Sequence, residues 1–176
     1  MKKIIVGLFV IGLATQFGLT TQSNAQVVVN DGMLPEIEVH ALNYKYLNSV
    51  DNSEAPVAVK LLEQKVANYD IKESELYSDD YDYYNVSFYI PEGKIVAAYD
   101  EDGKLIRTIE KFHDIAVPKS VAKSVAKRFP GWTIYKDVYL VNYHKDAGVT
   151  KQEYKLTLEN GDKRMKVKTD KDGNFI

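Results

Sequence analysis

Two segments of this chain recur at a single offset, and that recurrence narrows its possible folds more than any other feature of the sequence. Tyr84-Asn85-Val86-Ser87-Phe88 matches Tyr154-Lys155-Leu156-Thr157-Leu158, and Asp100-Glu101-Asp102-Gly103-Lys104-Leu105-Ile106 matches Asp170-Lys171-Asp172-Gly173-Asn174-Phe175-Ile176; both pairs lie 70 residues apart. Upstream, at an offset near 63, Leu62 falls on Val125, Val66 on Phe129 and Tyr69 on Trp132. A self-similar chain is built from supersecondary units that stack to bury their apolar faces. Each unit here reads as a helix followed by an antiparallel meander.

Apolar spacing places the elements. Val59, Leu62 and Val66 share one helical face between about Pro56 and Asn68, and Val121, Val125 and Phe129 share another between about Pro118 and Phe129, where Pro130-Gly131 stops the helix. Strands are expected from Tyr83 to Ile90, Lys94 to Tyr99 and Lys104 to Phe112, then from Trp132 to Tyr143, Lys151 to Glu159 and Lys163 to Thr169. The expected fold is α+β: a tandem repeat of one helix plus a four-stranded antiparallel meander, with helices on one face of the sheets. The expected divisions are 1–25, a signal peptide; 26–55, an N-terminal strand and linker; 56–113, the first repeat; and 114–176, the second.

The leader is read from Lys2 and Lys3, the apolar run Ile4 to Ala14, and small residues at Ser23 and Ala25, a pattern that signal peptidase cleaves. Gly7, Gly12, Thr15 and Gln16 interrupt the run, so it falls short of the ~20 apolar residues of a membrane span. Cleavage after Ala25 removes two lysines and no acids, leaving 21 basic against 25 acidic side chains. The expected product is periplasmic or secreted, with no membrane insertion after cleavage. Beyond it, Ile37, Val39 and Ala41 alternate with Glu36, Glu38 and His40 as a strand able to cover a sheet edge, and a polar linker is expected over Asn48 to Glu54.

Strand alternation then sorts the faces. Tyr84, Val86, Phe88 and Ile90 take the core side of the first strand, leaving Tyr83, Asn85, Ser87 and Tyr89 opposite. From Trp132 onward the same parity puts Trp132, Ile134, Val138 and Leu140 toward the helix and Tyr135, Asp137, Tyr139 and Tyr143 on the other side. The helix-free face is thus expected to be tyrosine-rich and wet, with Tyr83, Tyr89, Tyr135, Tyr139 and Tyr143 as partner-binding candidates beside Lys155, Lys166 and Lys168. Thirteen tyrosines against one tryptophan fit such a surface, since tyrosine offers rigid contact area and a hydrogen-bonding tip. Tyrosine also suits exposed strands for packing reasons alone.

The helix ending in Phe129-Pro130-Gly131-Trp132, the meander after it and the Asp170 to Gly173 turn resemble the PepSY-like family of exported bacterial proteins. The resemblance covers about Pro56 to Ile176 and is strongest in the second unit. It implies a tandem architecture similar to the β-lactamase-inhibitor protein fold and export, in a family with no established catalytic role. The inhibitor proteins carry disulfides and this chain has no cysteine, so no β-lactamase target is carried over.

Other chemistry is thinly represented. Zero cysteines exclude thiolate metal sites, cysteine nucleophiles and disulfide scaffolds. Near-balanced charge argues against nucleic acid as a partner. Asp100-Glu101-Asp102-Gly103 and Asp170-Lys171-Asp172-Gly173 open like calcium loops but lack the later oxygens, so both read as turns and no metal is expected. His40, His113 and His144 have no second ligand at metal spacing, and Asp79, Asp80 and Asp82 read as a solvated acidic run. No nucleophile elbow, phosphate loop or paired-histidine motif occurs, so no enzyme and no cofactor is expected. The expected function is a non-catalytic exported binding module that docks a protein or peptide through its tyrosine-bearing sheet face. The alternative is an envelope structural or accessory subunit making homomeric contacts.

Overall fold

A computed structural model describes residues 43–51 and 53–176. The leader and the Ile37 to Ala41 strand lie outside the described residues. Within them the order is α1 (Tyr44–Val50), α2 (Val57–Ala67), β1 (Tyr83–Ile90), β2 (Gly93–Asp100), β3 (Leu105–His113), α3 (Lys119–Arg128), β4 (Thr133–His144), β5 (Gly148–Asn160) and β6 (Lys163–Asp170). The six strands form one antiparallel sheet in sequence order, β1-β2-β3-β4-β5-β6.

This single sheet corrects the expected tandem of helix plus four-stranded meander. β3 pairs with β4 from Arg107↔His144 to His113↔Val138, so the two halves are fused by a full ladder. Among the described residues neither half completes a fourth strand of its own. The stretch 70–82 before β1, where strong alternation is missing and Asp79, Asp80 and Asp82 repel one another, forms turns. After β6 only Asn174 to Ile176 follow the turn, and they contribute one bridge, Thr169↔Phe175. The polar linker expected over Asn48 to Glu54 is also corrected: its start belongs to α1, where Tyr46 and Val50 are buried.

What recurs in the structure is the turn at Asp100 and at Asp170, which matches down to individual hydrogen bonds. In the first copy the Asp102 and Lys104 backbone N–H groups donate to Asp100 Oδ1, and Asp100 N–H donates to the Lys104 carbonyl. In the second, Asp172 and Asn174 donate to Asp170 Oδ1, and Asp170 donates to Asn174. Both turns place glycine in the left-handed region, Gly103 at φ 78° and Gly173 at φ 88°. The would-be calcium carboxylates therefore cap backbone N–H groups.

Helices begin where proline fixes φ: Pro56 and Pro118 stand immediately before α2 and α3 at φ −57° and −52°. Val59, Leu62 and Val66 of α2 and Val121 and Val125 of α3 enter one core with Tyr84, Phe88, Ile95, Tyr99, Phe112, Tyr139 and Leu156 of the sheet. Burying such side chains is worth about 1.5–3 kcal/mol each. Among the described residues the opposite face of the sheet carries no helix.

Alternation held in β1, where Tyr84 and Phe88 are buried and Tyr83 and Tyr89 exposed. It failed near the start of β4. The β4–β5 register passes from Ile134↔Leu158 to Lys136↔Thr157, leaving Tyr135 as an extra, unpaired residue. Such a bulge shifts parity by one, and every later side chain changes face. Ile134 keeps its core side, but beyond the bulge Asp137, Tyr139, Val141 and Tyr143 are buried while Val138 and Leu140 turn to the helix-free face. Trp132 is half-buried and packs against the core.

Candidate functional site

The helix-free face is assembled row by row across the strands. One row runs Tyr89, Lys94, Lys111, Leu140, Glu153 and Asp170; the next runs His113, Val138, Lys155 and Lys168; a third runs Lys136, Thr157 and Lys166. Two of these contacts set like charges directly opposite one another, Lys94↔Lys111 and Lys155↔Lys168. Cβ atoms of facing residues lie only about 4.5–5.5 Å apart, and such pairs destabilise a sheet. Folding alone does not select them.

The carboxylates of this face are already engaged. Glu153 lies 3.1 Å from Lys151 and 3.8 Å from Lys155, and Arg164 donates to Glu159 at 2.8 Å. Among the described residues, Lys94, Lys111, Lys136, Lys166 and Lys168 have no carboxylate within ion-pair distance. A hollow of about 500 Å³ sits among Lys136, Lys155, Lys166, Lys168, Val138 and His113. Its lining combines four lysines with Val138 and Thr157, and with Asp114 and Asp137 at the His113 end, so cations outnumber carboxylates two to one and it can take an anionic group on an apolar or peptide body.

The five tyrosine candidates are not brought together. Tyr83 and Tyr89 are exposed on β1, 66% and 67%, at the far edge of the sheet. Tyr135 is 46% exposed on the bulge, with Arg164 4.1 Å and Lys136 5.4 Å from its ring, so it buttresses two cations. Tyr139 and Tyr143, expected on this face, are core residues at 0% and 5% exposure. Tyr139 stacks between Phe112 and Tyr154, with centroids 6.2 and 4.5 Å away, and Tyr143 packs edge-on against Tyr46 at 5.3 Å. The bulge is the cause in both cases. Lys155, Lys166 and Lys168 do sit on the helix-free face, and Lys94, Lys111 and Lys136, which alternation in β2 and β3 and the bulge in β4 bring beside them, went unnoticed in the sequence.

Beneath the sheet lies a second group that sequence reasoning missed. Glu110, fully buried on β3, accepts hydrogen bonds at Oε1 from the Tyr46 hydroxyl at 2.8 Å and the Thr108 hydroxyl at 2.7 Å. Its Oε2 has no hydrogen-bond partner among the described residues. Burial raises its proton affinity, partly opposed by the Thr108 and Tyr46 hydrogen bonds. Glu63 of α2 is also buried, and desolvation, then the charges of Glu110 and Asp51, push its affinity up strongly. Asp137 is raised by burial too, although Ile115 N–H donates to its Oδ2 at 3.3 Å. Glutamates spaced normally within amphipathic elements give no sequence sign of this.

No protein-family model matches the chain, and no curated protein and no solved structure matches it significantly. Among the described residues no group of three or more His, Asp or Glu side chains is arranged to hold a metal ion, and no helix is long and apolar enough to cross a membrane.

Proposed function

We propose that this chain is a non-catalytic, exported, PepSY-like binding module that docks an acidic protein or peptide on the helix-free face of its sheet. One observation carries the reading: two directly opposed lysine pairs and two further cations without a carboxylate partner, Lys136 and Lys166, share a face that among the described residues carries no helix, in a chain whose overall charge is negative. Stability spent on like-charge contacts marks a surface shaped for something outside the fold. A protein or peptide fits better than nucleic acid, because the lysines surround aliphatic and threonine side chains rather than a row of stacking aromatics. Export follows the leader-like start of the chain.

The test is retention of envelope proteins by the wild type and by Lys111→Glu/Lys136→Glu, each with a urea titration. Partners held by the wild type should be released by ~0.5 M salt, where exposed charges are screened within a few ångströms, and should not be held by the double variant. Equal retention by both proteins refutes the reading, as does retention that survives high salt.

A further inference from the structure

We propose that the outer edge of β6, from Lys163 to Val167, accepts an extended segment whose acidic and apolar side chains alternate, adding it to the sheet as a seventh strand. The inference rests on the basic-face reading and specifies the form of the partner.

Among the described residues β6 is an outermost strand whose free side is only partly covered. Ile176 N–H donates to the Lys168 carbonyl and Asp170 N–H donates to the Asn174 carbonyl, so even-numbered residues of β6 direct their backbone groups outward. By the antiparallel alternation, the N–H and C=O of Lys166 and Arg164 also point outward. The C-terminal residues reach no further along β6 than Lys168. Among the described residues a free run of about five residues, roughly 17 Å, remains for main-chain pairing.

The two sides of this edge differ chemically. Arg164, Lys166 and Lys168 stand on the helix-free face, while Met165 and Val167 are half-buried toward the helices. A hollow of about 400 Å³ lies beside Val167, walled by Phe129, Phe175 and Arg128, and another of about 440 Å³ lies beside Arg164 with Tyr135 and Lys136. An added strand sends successive side chains to opposite faces. Its acids would meet Arg164, Lys166 and Lys168, and its apolar residues would meet Val167, Phe129 and Phe175. Edge pairing supplies main-chain hydrogen bonds and alternate pockets supply selection. Lysines on an edge also deter pairing with a like edge. Here they reject a second basic strand and favour an acidic one, which is selection by charge.

The experiment titrates the protein with labelled hexapeptides by fluorescence anisotropy. The probes are alternating Glu and Val, the same residues in two blocks, alternating Lys and Val, the alternating Glu/Val peptide N-methylated at every second amide, and polyglutamate. The alternating acidic peptide should bind at least about tenfold tighter than the blocked, N-methylated and polyglutamate probes, because each loses edge hydrogen bonds or side-chain register. The Lys/Val peptide should not bind. Lys166→Glu should weaken the alternating peptide about tenfold or more, whereas Lys123→Glu, an equal charge change on α3, should not. If the N-methylated peptide or polyglutamate binds as tightly as the alternating one, the edge proposal falls while the basic face stands. If no acidic probe binds, both fall. A stable dimer that the alternating peptide cannot dissociate would assign the edge to a second copy and overturn the proposal.

Discussion

At the scale of single residues, the buried carboxyls make stability depend on pH in a defined direction. Folding holds protons on Glu63 and Glu110 that the unfolded chain releases above the ordinary carboxylate value of 4.5. Their folded affinities are raised, so the stability they contribute is fully present below that value and is lost as pH climbs toward the raised ones. The urea midpoint should therefore fall between pH 5 and pH 8. Glu63→Gln, which keeps the shape and removes the ionisation, should leave the midpoint nearly unchanged at pH 4.5 and raise it at pH 8. Urea titrations of both proteins at the two pH values check this, and parallel pH profiles would show that Glu63 is not the group whose proton is linked to folding. Tyr46 belongs to the same cluster: burial, then the Glu110 charge, raise its hydroxyl well above the usual range, so it stays a donor to Glu110 throughout.

At the scale of elements, the bulge at Tyr135 decides which side chains hold the protein together. Tyr139→Ala should cost about 3–5 kcal/mol, because it empties the middle of the Phe112–Tyr139–Tyr154 stack. Tyr135→Ala should change stability by no more than about 0.5 kcal/mol, as an exposed position normally does. Urea midpoints for the pair separate the two placements, since the uninterrupted parity of a plain strand gives both rings the same exposed status. Gly173→Ala should also destabilise strongly: φ is +88° there, and an added Cβ would lie 2.8 Å from the Ser120 carbonyl oxygen of α3. A midpoint equal to that of the parent would show that α3 and the last turn part readily. These cases mark the limit of what the sequence discloses. Pro56, Pro118 and Pro130-Gly131 announced α2 and α3 to within a residue or two, and period-two patterning located all six strands, because those signals are local. The bulge was hidden because nothing in Ile134-Tyr135-Lys136 distinguishes an extra residue from an ordinary strand residue; only the partner register does. α1 was hidden because Tyr44–Val50 is seven residues long, and its place is set by Tyr46 reaching Glu110 and Tyr143.

At the scale of the whole molecule, the repeat and the charge distribution together explain both what the chain builds and what it exposes. The two three-stranded meanders would each have two free edges, and pairing β3 with β4 removes one from each, leaving β1 and β6 as the borders. The borders carry opposite surroundings: Asp79, Asp80 and Asp82 precede β1, whereas Lys163, Arg164, Lys166 and Lys168 lie along β6. Overall composition, nearly balanced, conceals this separation, which is why the basic face could not be read from the net charge. The separation leads to a prediction in which stability and binding move oppositely. Lys111 faces Lys94 across the β2–β3 ladder. Replacing it with Glu turns a repulsive pair into an attractive one, a change of roughly 0.2–1 kcal/mol in favour of folding. The same replacement removes a cation from the proposed docking face and introduces an acid, so affinity for polyglutamate should fall several-fold, and the difference should shrink as salt is raised. The urea midpoint and the polyglutamate dissociation constant of Lys111→Glu, measured beside the parent, test both halves. A variant that loses stability shows that the lysine pair serves the fold, through the packing of its stems. A variant that gains stability and binds polyglutamate unchanged shows that this row of the face does not meet the partner.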